Sequence, residues 1–224
     1  MKIASPKLAA GILTAAALAA GGWWMSGAGQ TPVGAGNLSL AAVAQEATAE
    51  TLPDIVMGQA DAPVTLIEYA SYTCPHCASF HDEVFDRLKA DYVDTGKVRF
   101  IHREVYFDKF GLWAGMIASC GGAPKYYAIS GMLYDAQRDW IGDGQEATIA
   151  ANLRKIGLKA GLSQDQLDAC LNDQDMARKM VATYQKNATA DDVNSTPTLV
   201  INGTKHSNMS YADLKAILDE ELGQ

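Results

Sequence analysis

The chain has 224 residues, of which 48% are hydrophobic and 20% charged. That is the balance of an ordinary globular protein with enough length for a sizeable core. A formal net charge of −8 argues against a nucleic-acid surface and offers no polybasic patch for a membrane surface. Lys2 and Lys7 offset Glu46 and Glu50 near the N-terminus, so the acidity belongs to the rest of the chain.

The N-terminus reads as an export segment. A short basic start, "MKIASPK", precedes an uncharged stretch from Leu8 to Met25. Ser26-Gly27-Ala28 and Ala42-Val43-Ala44 offer small-residue cleavage sites. Left uncut, the run is just long enough to span a bilayer, with Trp23 and Trp24 at interfacial positions. Residues 1–28 are therefore predicted to be a signal peptide or a membrane anchor, and residues 29–51 a small, Gly- and Ala-rich linker. Either fate of the segment predicts a periplasmic location for residues 52–224, soluble or tethered, where disulfides persist.

The folded part opens with "PVTLIEYA", a near-continuous apolar run of central-strand character ending at Ala70. Cys77, Phe80, Val84, Phe85, Leu88 and Tyr92 then recur at helical spacing, predicting a helix from about Cys74 to Tyr92. "KVRFIHREV", Lys97 to Val105, alternates as a second strand and completes a βαβ unit. From about residue 108 to 192 only helical periodicity is found, broken at Gly121-Gly122, Gly142-Asp143-Gly144 and Gly161-Leu162-Ser163. These breaks predict a block of four or five helices. Strand patterning returns at "TPTLVINGTKH", where Asn202-Gly203 is a strong hairpin signal. Ser210 and Asp213 resemble a capping box for a last helix carrying Leu214, Ile217, Leu218 and Leu222 on one face. The fold class is thus α/β: βαβ, an all-helical insertion, then ββα.

The chemistry centres on "EYASYTCPHCASF", Glu68 to Phe80. A CxxC pair serves zinc sites, haem attachment and redox enzymes alike. Zinc would require a second ligand pair, whereas Cys120 and Cys170 are isolated and His81, His102 and His206 have no ligand-like spacing. Haem attachment would require a histidine where Ala78 stands. No metal or cofactor is predicted, although a metal-binding protein using Cys74, Cys77 and a histidine stays open as an alternative.

The redox reading accounts for more residues. Cys74 falls at the helix start with Pro75 in the first turn, where a missing N–H costs nothing. The free N–H groups and the positive end of the helix dipole favour a thiolate there, and a protonated His76 would add a cation beside it. Such settings bring cysteine pKa values down to roughly 3.5–7.5. Cys77, on the apolar face, is the predicted buried resolving thiol. Glu68 shares a strand face with Val64 and Leu66, so its carboxylate should be desolvated, with a raised pKa, and able to relay a proton for Cys77. A strand-end carboxylate reaching solvent is the plainer alternative. His81 follows on the face of Cys77, either tuning the site or packed and hydrogen-bonded.

"CPHC" at a helix start, Glu68 six residues upstream, the order of elements and "STPT" before the last hairpin resemble the DsbA-like thiol:disulfide oxidoreductases of the thioredoxin superfamily. The resemblance covers about Leu52 to Leu222. It implies that Pro197 is a cis-proline facing the cysteines, with Thr196 before it as part of the substrate-binding surface; the residues alone read as a trans proline starting a strand. Some members carry a second disulfide in the helical insertion, which implies a structural Cys120–Cys170 bond here, the alternative being separate buried thiols. At His81 the sequence departs from the best-known member, which has an acidic residue there.

The activity implied is donation of a Cys74–Cys77 disulfide to reduced or unfolded substrate proteins, with reoxidation by a DsbB-type membrane partner. A reductase or isomerase is the alternative. Such proteins often oligomerise through an N-terminal segment, and residues 29–51 lack heptads, so a monomer is predicted.

Overall fold

The computed structural model describes residues 50–224. The predicted signal or anchor, and the linker apart from its last two residues, lie outside the described residues. No described helix is long and apolar enough to cross a membrane.

Five strands form one sheet in the order β1-β3-β2-β4-β5: β1 (Val56–Met57), β2 (Val64–Ala70), β3 (Val98–Glu104), β4 (Thr198–Ile201) and β5 (Thr204–Ser207). β2 and β3 are parallel, and the remaining pairings are antiparallel. The central β2 has Val64, Leu66, Glu68, Tyr69 and Ala70 fully buried, as its apolar run requires. β1 has two residues, too few to leave a periodic trace in the sequence. The tight connection from β4 to β5 places Asn202 and Gly203 at φ of 46° and 87°, the left-handed pair that a two-residue type I′ hairpin needs.

The chain from Pro75 to Val93 is helical throughout, and we call it α1. Its segments are Pro75–Phe80, a π turn His81–Phe85, Asp86–Leu88 and a second π turn Lys89–Val93. Six helices then separate β3 from β4, where sequence periodicity suggests four or five. They are α2 (Lys109–Cys120), α3 (Ala123–Asp135), α4 (Gln137–Ile141), α5 (Glu146–Lys159), α6 (Gln164–Leu171) and α7 (Gln174–Ala190). The extra one is α4, set off from α3 by Ala136 alone, a break with no glycine or proline to announce it. The last helix, α8 (Tyr211–Glu221), starts at Ser210, whose hydroxyl accepts the Asp213 N–H.

The two largest of four packed clusters account for most of the interior of the described residues. One joins the sheet to α1 and α8 through Leu66, Phe80, Leu88, Phe100, Leu199 and Leu214. The other fills the helical block with Ile117, Ile129, Leu133, Trp140, Leu153 and Leu167, and it also contains Cys74 and Cys77. Each such fully buried aliphatic or aromatic side chain contributes about 1.5–3 kcal/mol. The cysteine pair therefore sits on the seam between the sheet half and the helical half.

Candidate active site

Cys74 is the N-cap of α1, with extended backbone (φ −85°, ψ 118°) and Pro75 in the first turn. A tight loop delivers it there: its N–H donates to the Ser71 carbonyl at 3.0 Å, while its own carbonyl accepts from the N–H groups of Cys77 and Ala78. Two contacts from the helical block hold that loop. Gln137 donates to the carbonyls of Tyr72 and Cys74 at 2.8 and 2.9 Å, and the Thr73 hydroxyl donates to Asp108 at 2.8 Å. Asp108 also caps α2 through the N–H groups of Phe110 and Gly111. Neither Gln137 nor Asp108 stands out as a site residue in the sequence. Asp108 has a detectable signal, an N-cap residue before a helical run; Gln137 has none.

Both cysteines are thiols in this structure. Cys74 is 9% exposed and Cys77 completely buried. The Cys74 thiol lies 3.6 Å from the Thr196 carbonyl oxygen. Thr196–Pro197 is a cis peptide, so the segment before β4 meets the start of α1 at the sulfur. The hydrogen bond from the Cys77 thiol is the largest influence bringing Cys74 down to about 5. Burial opposes it, and Thr196 and the backbone N–H groups of Cys77 and His76 add to it. Cys77 is pushed far up, first by that same hydrogen bond, then by burial, then by the charge of Glu68.

His76 differs from the sequence reading. Its side chain is exposed, and the contribution that it makes to the Cys74 thiolate comes from its backbone N–H. At a helix start the main chain points its donors at the sulfur while the side chain turns to solvent.

Glu68 does not reach solvent. It is 0% exposed, with one carboxylate oxygen 3.0 Å from His81 Nε2, and its Oε1 has no hydrogen-bond partner among the described residues. His81 is buried and stacked between Tyr134 and Phe85, with ring centroids at 4.0 and 4.7 Å. His102 stands opposite Glu68 in the β2–β3 register. One polar atom each of Glu68, His81 and His102 lies within 4.8 Å of the others. This is a donor set suited to a transition metal, and it includes neither cysteine. Both ring nitrogens of His102 are already hydrogen-bonded to tyrosines. Sequence spacing gave no sign of this convergence because the three residues come from β2, α1 and β3.

Cys120 and Cys170 are joined by a disulfide that ties the end of α2 to the end of α6. It lies within the helical block, apart from the CPHC turn.

A sheet of this topology, with a dithiol at a helix N-terminus facing a cis-proline, defines the thioredoxin class. Residues 50–220 match the sequence model of the family described as thioredoxin, and the chain belongs to that family. Among curated relatives, a putative protein-disulfide oxidoreductase of Rickettsia bellii is 27% identical over 170 residues, 75% of this chain and 64% of the relative. The chain thus spans less than two thirds of that relative's length. Disulfide bond formation protein D of Bacillus subtilis is 26% identical, covering 75% of this chain and 76% of that one. The alpha-DsbA1 structure from Wolbachia pipientis superimposes with a TM-score of 0.70 at 28% identity, covering 78% of this chain and 94% of the other.

Proposed function

We propose that this chain is a thiol:disulfide oxidoreductase that donates the Cys74–Cys77 disulfide to thiols of reduced substrate proteins. A substrate thiolate attacks Cys74 Sγ, the Cys74–Cys77 bond breaks, and Cys77 leaves as a thiolate that takes up a proton. A second substrate thiolate then attacks the substrate sulfur of the mixed disulfide. The substrate departs oxidised and Cys74 departs as the stabilised thiolate. Glu68, buried and acting on Cys77 through its charge, is the group that relays the Cys77 proton. Thr196 and Pro197 form the surface against which substrate backbone lies.

The observation that carries the direction is the Cys74 thiol, held near 5. A thiolate stabilised in the dithiol form makes the disulfide the more oxidising state. The relatives named for disulfide bond formation or protein-disulfide oxidoreduction support the same reaction class. Export by the N-terminal segment and reoxidation by a DsbB-type membrane partner complete the reading, because a donor must be recharged in an oxidising compartment.

The deciding measurement is the equilibrium of the pair with glutathione. A constant that leaves the pair mostly reduced in a glutathione buffer poised like the secretory pathway supports a donor. A pair that stays mostly oxidised there identifies a reductase instead.

A further inference from the structure

The loop that carries the reactive cysteine is gripped from the helical half of the fold. Gln137, 5% exposed, stands at the start of α4 and gives its Nε2 to the Tyr72 and Cys74 carbonyls at 2.8 and 2.9 Å. A side-chain amide nitrogen has two protons, and both are spent on the loop. Two carbonyls converging on one atom require it to be the nitrogen, since the amide oxygen has no proton to give. α4 itself is anchored in the helical block. Trp140, three residues on, is 1% exposed and shares a packed cluster with Ile149 and Leu153; its Nε1 donates to the Leu133 carbonyl at 2.8 Å.

The grip falls on a peptide plane with few other handles. The bond from Cys74 to Pro75 has no N–H, so hydrogen bonds can fix its plane only through the Cys74 carbonyl. That carbonyl accepts from the Cys77 and Ala78 N–H groups of α1 at 3.1 and 3.2 Å, and from Gln137 at 2.9 Å. The Tyr72 carbonyl takes the other Gln137 proton, so one side chain clamps the loop on both sides of Thr73. The Cys74 thiolate is stabilised by the Cys77 thiol and by the N–H groups of Cys77 and His76. Those bonds depend on where the Cys74 Cα–Cβ bond points, which the two peptide planes flanking Cys74 set. Hydrogen bonds weaken steeply as they bend, so a plane that turns swings the sulfur off its donors.

We propose that Gln137 is a positioning residue of thiol–disulfide exchange, through which the helical insertion sets the Cys74 sulfur against its hydrogen-bond donors. This role rests on the function proposed above and deepens it. The strands and α1 supply the two cysteines and the cis-proline, and the insertion supplies the restraint that keeps the reactive sulfur aligned. No proton or electron passes through Gln137; it acts on the geometry of the loop before a substrate arrives. The titratable groups facing the loop are Cys77 and His76 in α1, Asp108 before α2, reached through the Thr73 hydroxyl, and Glu104 in β3, reached by the Tyr72 hydroxyl at 3.4 Å. Removing the Gln137 donors alters none of these groups, so a change in Cys74 ionisation reports the alignment of its sulfur.

The test compares the reduced full chain with Gln137→Met, which keeps the length of the side chain and removes both donors. Thiolate absorbance against pH should place the Cys74 midpoint about one unit higher than in the unmodified protein. The equilibrium with glutathione should move about tenfold towards the oxidised pair. Trp140→Phe is the control: it loosens α4 without touching the loop, and should lower the melting temperature while leaving the midpoint unchanged. An unchanged midpoint in folded Gln137→Met overturns the role, and so does an equal rise in Trp140→Phe. Should Gln137→Met not fold, nuclear magnetic resonance of the unmodified protein decides. The Gln137 side-chain amide signals should shift at the pH where Cys74 ionises, and signals that stay fixed through that titration overturn the role. A midpoint near that of a free thiol in the unmodified protein overturns the proposed function instead, and the role falls with it.

Discussion

Cys77 donates to Cys74, and this one hydrogen bond moves the two thiols in opposite directions: Cys74 is held at about 5 and Cys77 is pushed far above the ordinary thiol value of 9.0. Placement explains the asymmetry. Cys74 lies outside the first turn, where N–H groups lack helical partners, whereas Cys77 lies inside it, fully buried and facing the negative charge of Glu68. At neutral pH one sulfur is a thiolate and the other stays protonated, so the pair has a built-in order of attack.

That order gives the first prediction. Cys77→Ala should accumulate mixed disulfides between Cys74 and substrate thiols, because no resolving sulfur remains. Cys74→Ala should accumulate almost none, its remaining thiol being buried and protonated. Non-reducing electrophoresis followed by mass mapping reads both. Adducts on Cys77 in the Cys74→Ala protein would reverse the assignment.

The Cys120–Cys170 bond closes a separation of 50 residues within the helical block. Restricting the unfolded chain over such a loop is worth about 4 kcal/mol in the chain-entropy account. Replacing both cysteines with alanine should therefore lower the melting temperature by several degrees while glutathione exchange at Cys74–Cys77 stays near normal. Loss of exchange in a double variant that is still folded would show that the bond serves the active site directly.

The sequence displays the parts of this site that are local in the chain. Cys74 and Pro75 at a helix start, Glu68 on a buried strand face and Asn202-Gly203 in a hairpin all follow from spacings of a few residues. The burial of Glu68 follows from the alternation of β2. What the sequence hides are relationships between elements. Glu68, His81 and His102 come from three different elements, and nothing in their spacing brings them together. Gln137 holds the Cys74 loop from a helix of five residues that follows α3 after a single-residue break. The exposed side chain of His76 is the converse case: proximity in sequence suggests an imidazole effect, whereas the contribution the structure shows is that of its backbone N–H.

Two helical glycines should respond to alanine with opposite signs. Gly131 in α3 has open space where a Cβ would go, so Gly131→Ala should stabilise by up to about 1 kcal/mol through helix propensity alone. A Cβ at Gly115 in α2 would instead collide with Glu104 Oε2 and press on Met180. Gly115→Ala should therefore destabilise by about 1–3 kcal/mol despite the better helix former. Urea melts of both variants check the pair. A stabilised Gly115→Ala protein would mean that Glu104 can move aside at little cost.

The last prediction concerns pH. Cys74 in the reduced protein has a folded pKa of about 5, below its ordinary value of 9.0. A depressed pKa contributes stability that is fully present above the unfolded value and is lost as pH falls through the folded one. The reduced form should therefore gain stability relative to the oxidised form as pH rises from about 5 to 9. Cys77 does not blur this window. Its folded pKa is raised, so its contribution is constant below its ordinary value of 9.0 and is lost only above that. Melting temperatures of the two redox forms across this range read the slope, and thiolate ultraviolet absorbance reads the midpoint. Cys77→Ala should raise the midpoint most, since the Cys77 hydrogen bond is the largest influence, and Thr196→Val should raise it less. His76→Asn should leave it near about 5, because the backbone N–H that His76 supplies survives the substitution. A large rise in His76→Asn would show that the imidazole charge reaches the sulfur after all. A midpoint near that of a free thiol in the unmodified protein would remove the basis for reading Cys74–Cys77 as a disulfide donor.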